Sequence, residues 1–560
     1  MALRAKQFTW LWLAALFAGA LALRVWDLNR VFLEADEAVW AVVPLKLQTH
    51  PLWLSGGLQQ NPLAQLAAWP YGYLYPTFLF FWVKLLSFVG AAVDEFTLVV
   101  PCAILGACSV LAIYRFGREF FDRATGLWCA ALVSLWPLHV GLSRTMITTR
   151  IPASLLQVLT LFFFMRAADR AGRRDIWMAG VCLAAYCVIT PLFPSTLMVL
   201  AWTAWVYAGG ESGGMAGRLR GMLARIFRVP IVALPLLALL PSLAVLAYGV
   251  YIGKIGGQLG YILAKGKEPG FYAAAGIRHM LENGGVGLLL VCLLGLGYGL
   301  IGVSRRRKPE MVLTGWAALS LGPWFFLISD SVTGTREYLL DGTVPLIVLG
   351  CAAIAALLRR VPDGRRTWVT AAAAVLLCAA ALTATLRSVF NVQPDGTVLR
   401  TPYLEQPQET VFGSVREDNG LKAAGYYVRE NVPRDAGVYT DMGPSHGPLY
   451  FGREVFAISD AGRAKLLAHV ARARSKIDVA VVNRVYEDDV ARVLGNEFAK
   501  IVEIWNRDHE VMAIFARGKR PIQRLQVADG DRLFDAKYAK AQMLIPGWVD
   551  YAELTPITKE

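Results

Sequence analysis

Apolar runs separated by short polar loops recur along the first 390 positions of the 560-residue chain. Crossing a bilayer takes about 20 predominantly apolar residues. Eleven segments read as spans on that pattern: 9–26, 96–114, 126–142, 152–166, 176–189, 194–209, 229–251, 284–303, 311–329, 337–358 and 368–388. One more apolar run, 72–90 (GYLYPTFLFFWVKLLSFVG), is ambiguous. Beyond residue 390 the pattern becomes that of a soluble domain. Helical periodicity near 418–430, 461–474 and 486–496 alternates with β-rich runs at 437–441, 477–482 and 511–515, which predicts a small α/β domain. The expected architecture is a polytopic α-helical membrane protein of about eleven spans (1–390) with a C-terminal extracytoplasmic α/β domain (391–560).

Composition fits that class and excludes an ordinary soluble protein. The chain is 56% hydrophobic and 18% charged with mean hydropathy +0.45, whereas soluble domains carry about 25% charged residues. The net charge of +14 does not point to nucleic acid, because the basic residues lie in short clusters between apolar runs. All eight cysteines fall inside apolar spans without metal-ligand spacing and read as small buried hydrophobes. No metal or cofactor site is expected. The first span lacks a small-residue cleavage site, so it reads as a signal anchor.

Those clusters also set the topology. Arg4 and Lys6, Arg115–Arg123, Arg166–Arg174, Arg218–Arg228, Arg305–Lys308 and Arg359–Arg366 occupy every second loop, and the longer loops between them are poorer in positive charge. The positive-inside rule places these clusters in the cytoplasm, with the N-terminus inside and residues 389–560 outside, in a plasma (inner) membrane. If 72–90 crossed, every later cluster would face outward. It is therefore read as an interfacial or re-entrant helix with Lys84 reaching the headgroups. Residues 27–95 then form one long external loop with membrane-lying helices near 36–49 and 72–90.

Candidate chemistry gathers on the external side. Asp36 and Glu37 form an acidic pair just past the first span. A carboxylate at a lipid–water boundary can act as general base, and it can equally cap a solvated helix N-terminus. Arg144, Arg150, Arg336 and Lys84 lie at outer-leaflet level. Guanidinium groups match phosphate bidentately, and they also snorkel to headgroups. His139 fits either a site hydrogen bond or a satisfied core position. Asp330, Asp341 and Asp441 are further external carboxylates. Tyr71, Tyr73, Tyr75, Trp69 and Trp82 look like an interfacial aromatic belt.

The order and sidedness of these features resemble the GT-C superfamily of glycosyltransferases, over residues of about 20–350. The acidic pair in the first external loop carries the likeness, with GYLYP (72–76), YRFGREFFDRATG (114–126), PLHVGLSR (137–144) and TREYLL (335–340). Family 39, with the protein O-mannosyltransferases and lipid A aminoarabinose transferases, is most similar. The resemblance implies transfer from a polyprenyl-phosphate-linked sugar to a glycan, lipid or protein acceptor, by inversion and without metal. It makes Asp36 the catalytic carboxylate and Glu37 its neighbour. Arg144 and Arg336 would approach the donor phosphate; by position in the chain, Lys84 and Arg150 are further phosphate candidates, and His139, Tyr338 and Tyr71 are candidates for the substrate site. One departure is plain: 145–151 (TMITTRI) lacks the second carboxylate that many relatives carry there. The principal alternative is a secondary transporter or flippase of a lipid-linked or anionic substrate. Against it, no internal repeat and no mid-span acidic residue is evident. A non-catalytic membrane subunit with an external sensor domain is a third.

Overall fold

A computed structural model describes residues 2–26, 28, 74–91, 95–145, 150–170, 172–190, 193–210, 214–251, 273–327, 339–390, 392, 420–441, 450–453, 455–456, 463–506, 509–518 and 520–527. Its helices run in the order α1 (Ala2–Val25), α2 (Leu74–Phe88), α3 (Glu95–Phe120), α4 (Arg123–Leu135), α5 (Pro137–Leu142), α6 (Arg150–Arg170) and α7 (Arg173–Cys187). Then come α8 (Phe193–Tyr207), α9 (Gly214–Ile226), α10 (Val229–Tyr251), α11 (Ala273–Ser304), α12 (Lys308–Leu327), α13 (Leu339–Arg359) and α14 (Asp363–Ser388). All eleven apolar segments read as spans fall on these helices.

Among the described residues five helices are long and apolar enough to cross a membrane: α3, α6, α11 from Gly285, α13 and α14. The pair α9 and α10, bent by 51°, makes a sixth. Others are cut short by identifiable breaks. Pro137 opens α5 and leaves Trp136 extended, dividing one segment into α4 and α5. In α11 the helix breaks at Gly285, whose φ of 68° suits a residue without Cβ. Helix α9 has no counterpart among the expected spans. It puts Arg218, Arg220 and Arg225 where the sequence suggested a plain cytoplasmic loop.

The bundle has two chemically distinct ends. At one, ion pairs tie the arginine clusters together: Arg359 to Asp122, Arg170 to Glu119 at 2.6 Å and Arg166 to Asp175 at 3.3 Å. At the other, Trp26 after α1 packs on Phe390 after α14 at 5.0 Å, and the Thr385 hydroxyl donates to the Leu135 carbonyl. Helix α2 stays at this second end. Its first amide, Leu74 N–H, donates to the Val188 carbonyl just after α7, and the Trp82 indole donates to the Thr97 carbonyl at the start of α3 (2.6 Å). Fifteen residues of helix measure about 22 Å, well under the ~30 Å hydrocarbon core.

The C-terminal domain is a five-stranded mixed sheet in the order β1-β2-β4-β3-β5: β1 (Val438–Thr440), β2 (Val479–Asn483), β3 (Phe498–Asn506), β4 (His509–Arg517) and β5 (Gln523–Gln526). Its helices are α15 (Leu421–Asn431), α16 (Arg463–Ala473) and α17 (Glu487–Leu494). Strand alternation builds two cores. Ala480, Val482, Ala513 and Phe515 pack beneath α16 and α17. Val479, Val481, Met512 and Ile514 join α15, and that cluster continues into the membrane part through Tyr75, Leu79, Val83 and Leu86, one face of α2. The soluble domain and α2 thus share a core.

A candidate active site at one end of the helix bundle

Asp36, Glu37, Tyr71, Arg336 and Tyr338 lie outside the described residues. The other candidates divide among three places: His139 and Arg144 come together, Arg150 belongs to a second cluster, and Lys84 stands apart. Lys84 is on the exposed side of α2 with Phe81, Leu85 and Phe88, 5.8 Å above the Phe80 ring.

The first cluster centres on Arg24, a residue the sequence reading passed over. It is wholly buried near the end of α1. Its guanidinium donates to the carbonyls of Ala20 (2.8 Å), Ser134 (3.2 Å) and Val133 (3.3 Å), to Ser143 Oγ (3.2 Å) and to His139 Nδ1 (2.9 Å). Because an arginine can only donate, Nδ1 must accept, and the imidazole proton resides on Nε2. Gly106 on α3 makes room for this contact; a Cβ there would collide with Ser143 Oγ. The signal available in the sequence was an arginine inside an apolar span, flanked by Leu23 and Val25.

Arg144 is equally buried. Its Nη1 donates to the carbonyls of Leu23, Arg24 and Trp26, groups left without helical partners where α1 ends. Its guanidinium also stacks 4.8 Å from the Phe390 ring centroid. This geometry gives Arg144 the work of fixing the end of α1, from which the chain runs on toward Asp36. Arg144→Lys is therefore expected to lower stability by about 1.5–3 kcal/mol, the worth of charge-assisted hydrogen bonds that lysine cannot reproduce together. Thermal unfolding of the detergent-purified variant reads this directly; an unchanged midpoint would remove the capping role.

The second cluster joins the same ends of α6, α7, α8 and α13. Arg150 opens α6, and Asp341 lies in the first turn of α13. Both are buried and within electrostatic reach of one another and of Tyr186 near the end of α7. The Tyr186 hydroxyl sits beside Thr196 of α8, whose Oγ1 accepts from Gln157 Nε2 at 2.9 Å. Leu74 of α2 packs against Tyr186 and Ala153. The segments that carry the remaining candidates join the described chain at this end. Residues 29–73 leave from Leu28 and return at Leu74, and 328–338 run into Leu339, so Arg336 precedes Asp341 by five positions. Among the described residues no group of three or more His, Cys, Asp or Glu could hold a metal.

This architecture is the GT-C fold, a multi-pass membrane bundle bearing a C-terminal soluble domain. Residues 75–236 match the family model described as dolichyl-phosphate-mannose-protein mannosyltransferase. ArnT from Cupriavidus metallidurans, solved bound to undecaprenyl phosphate, superposes with a TM-score of 0.59 at 12% identity, covering 92% of this chain and 100% of that one. The oligosaccharyltransferase of Archaeoglobus fulgidus in its apo form gives 0.58 at 13%, over 91% and 74%. The same enzyme, AglB, with an inhibitory peptide and dolichol-phosphate gives 0.57 at 13%, over 86% and 70%. At such identities the likeness is one of fold. No curated protein matches the sequence.

Proposed function

We propose that this protein is an integral-membrane glycosyltransferase that moves a sugar from a polyprenyl-phosphate donor to an acceptor on the extracytoplasmic face. The observation that carries the reading is the buried Arg150–Asp341–Tyr186 cluster at the bundle end from which the Asp36–Glu37 loop and the Arg336 segment depart. Ionisable groups at that depth are rare, pair with one another and mark substrate pathways. Polyprenyl phosphates are what the structurally similar ArnT and AglB were solved with, and such a lipid would lay its tail along the spans with its phosphate near Arg150 and Arg336. Lys84 would meet headgroups or donor from α2, and His139, Tyr71 and Tyr338 would border the substrate.

Chemistry follows from that placement. Asp36 takes the proton of the acceptor nucleophile as it attacks the anomeric carbon, and Glu37 orients it. The bond from that carbon to the phosphate oxygen breaks, and its electron pair leaves with the polyprenyl phosphate. Fixed cations stabilise the charge that grows there more than they stabilise the ground state. Purified protein in nanodiscs should transfer labelled sugar from an undecaprenyl-phosphate hexose or pentose to envelope acceptors. Movement of the intact lipid-linked sugar between leaflets without release of sugar would instead favour a flippase.

Sidedness has its own check. Ile522, 57% exposed in the C-terminal domain, should react as cysteine with an impermeant maleimide in spheroplasts, and Arg305→Cys should react only after permeabilisation. The reverse pattern would place the domain inside.

A further inference from the structure

Among the described residues, Asp341 Oδ1 and Gln157 Oε1 have no hydrogen-bond partner, and the third polar atom of the Arg150 cluster, the Tyr186 hydroxyl, meets Thr196. Asp341 is 6% exposed, and Gln157 and Tyr186 are fully buried. Within a membrane bundle water cannot be relied on to satisfy such groups, and each costs free energy when left unpaired. Gln157 spends its amide on Thr196 and keeps its carbonyl oxygen unused. Two of the three atoms are pure acceptors and the third can accept, so the group that completes the cluster must bring donors. A phosphate has none to give when ionised, and Arg150 is the residue suited to it.

Resting on the glycosyltransferase reading, we infer that Asp341, Gln157 and Tyr186 form the sugar-recognising wall of the donor site, where ring hydroxyls of a hexose or pentose donate to Asp341 Oδ1 and Gln157 Oε1. Asp341 and Tyr186 then select the sugar, while Arg150 faces the phosphate. A chain from Gln157 through Thr196 reaches Tyr186, with Asp341 within electrostatic reach, so these acceptors gather where α6, α8, α7 and α13 end.

The test compares two probes on the full-length protein in nanodiscs: undecaprenyl phosphate, which has no sugar, and the undecaprenyl-phosphate sugar that the wild type binds best from a hexose and pentose panel. Asp341→Asn and Tyr186→Phe should weaken the glycosylated lipid roughly tenfold or more, the size expected when a hydrogen bond to a buried group is lost. Affinity for bare undecaprenyl phosphate should stay within about twofold. Tyr186→Phe removes one hydroxyl, which lies beside Thr196, and keeps the ring, so its melting temperature should fall little; this variant carries the test if Asp341→Asn fails to fold. Equal weakening of both lipids, or of neither, by a folded Tyr186→Phe protein overturns the sugar wall and leaves the donor class intact. Failure of the wild type to bind either lipid overturns the glycosyltransferase reading itself.

Discussion

Asp36→Asn is expected to lower the turnover of the proposed sugar transfer ~10²–10⁴-fold, the usual cost of losing one general base. Asparagine keeps the size and polarity of the side chain but cannot take a proton at neutral pH, so folding and donor binding should survive. Asp36 follows Leu28 by eight residues, a reach of up to about 28 Å when extended. Leu28 is itself buried, in the cluster that also holds Tyr75 and Leu79 of α2. The decisive measurement is single-turnover transfer with saturating donor, with melting temperature and undecaprenyl phosphate affinity followed in parallel. Near wild-type turnover would remove Asp36 from the chemistry. Glu37→Gln should cost less, because a neighbour that orients the base leaves the proton acceptor in place.

What the sequence made legible was whatever is local. Apolar runs of bilayer length mark the helices, and the arginine clusters assemble at one end because alternate loops must. The α/β alternation after residue 390 was readable for the same reason. Strand β3 was not, because its pairing with β4 shifts register between Lys500 and Val502 and again between Ile504 and Trp505, which breaks the period-2 pattern. Helix α9 was hidden by the glycines of GGESGGMAG that precede and enter it. At the site, Arg144 and Arg150 stand out by type and position, but their partners come from helices far away in the chain. Nothing local ties Arg24 to His139 and Ser143, or Arg150 to Tyr186 and Asp341. Their meeting is set by helix packing, which is also why Arg144, expected to face a phosphate, has Nη1 committed to the end of α1.

A second nonlocal pairing is expected to have the largest effect on stability. Glu95, the first residue of α3, and Lys422, the second of α15, are 2.6 Å apart with side chains 2% and 4% exposed. The Tyr450 hydroxyl donates to the same carboxylate oxygen at 3.4 Å. Around the pair lies the apolar cluster shared by α2, the start of α3 and the sheet of the C-terminal domain. Removing one partner leaves the other charge buried without its counter-ion, which typically costs 3–5 kcal/mol, whereas exposed pairs cost about 0–1 kcal/mol. Lys422→Met and Glu95→Gln should each approach the larger figure, and Lys422→Met combined with Glu95→Leu should recover much of the loss, since two apolar side chains can fill the same interior. Because that cluster also holds the buried face of α2, the single variants should undock the domain and free α2 together. Limited proteolysis of protein in nanodiscs should then release a C-terminal fragment from the single variants at temperatures where the wild type and the double variant stay intact. Single variants as resistant as the wild type would mean that the domain is held by its apolar contacts alone.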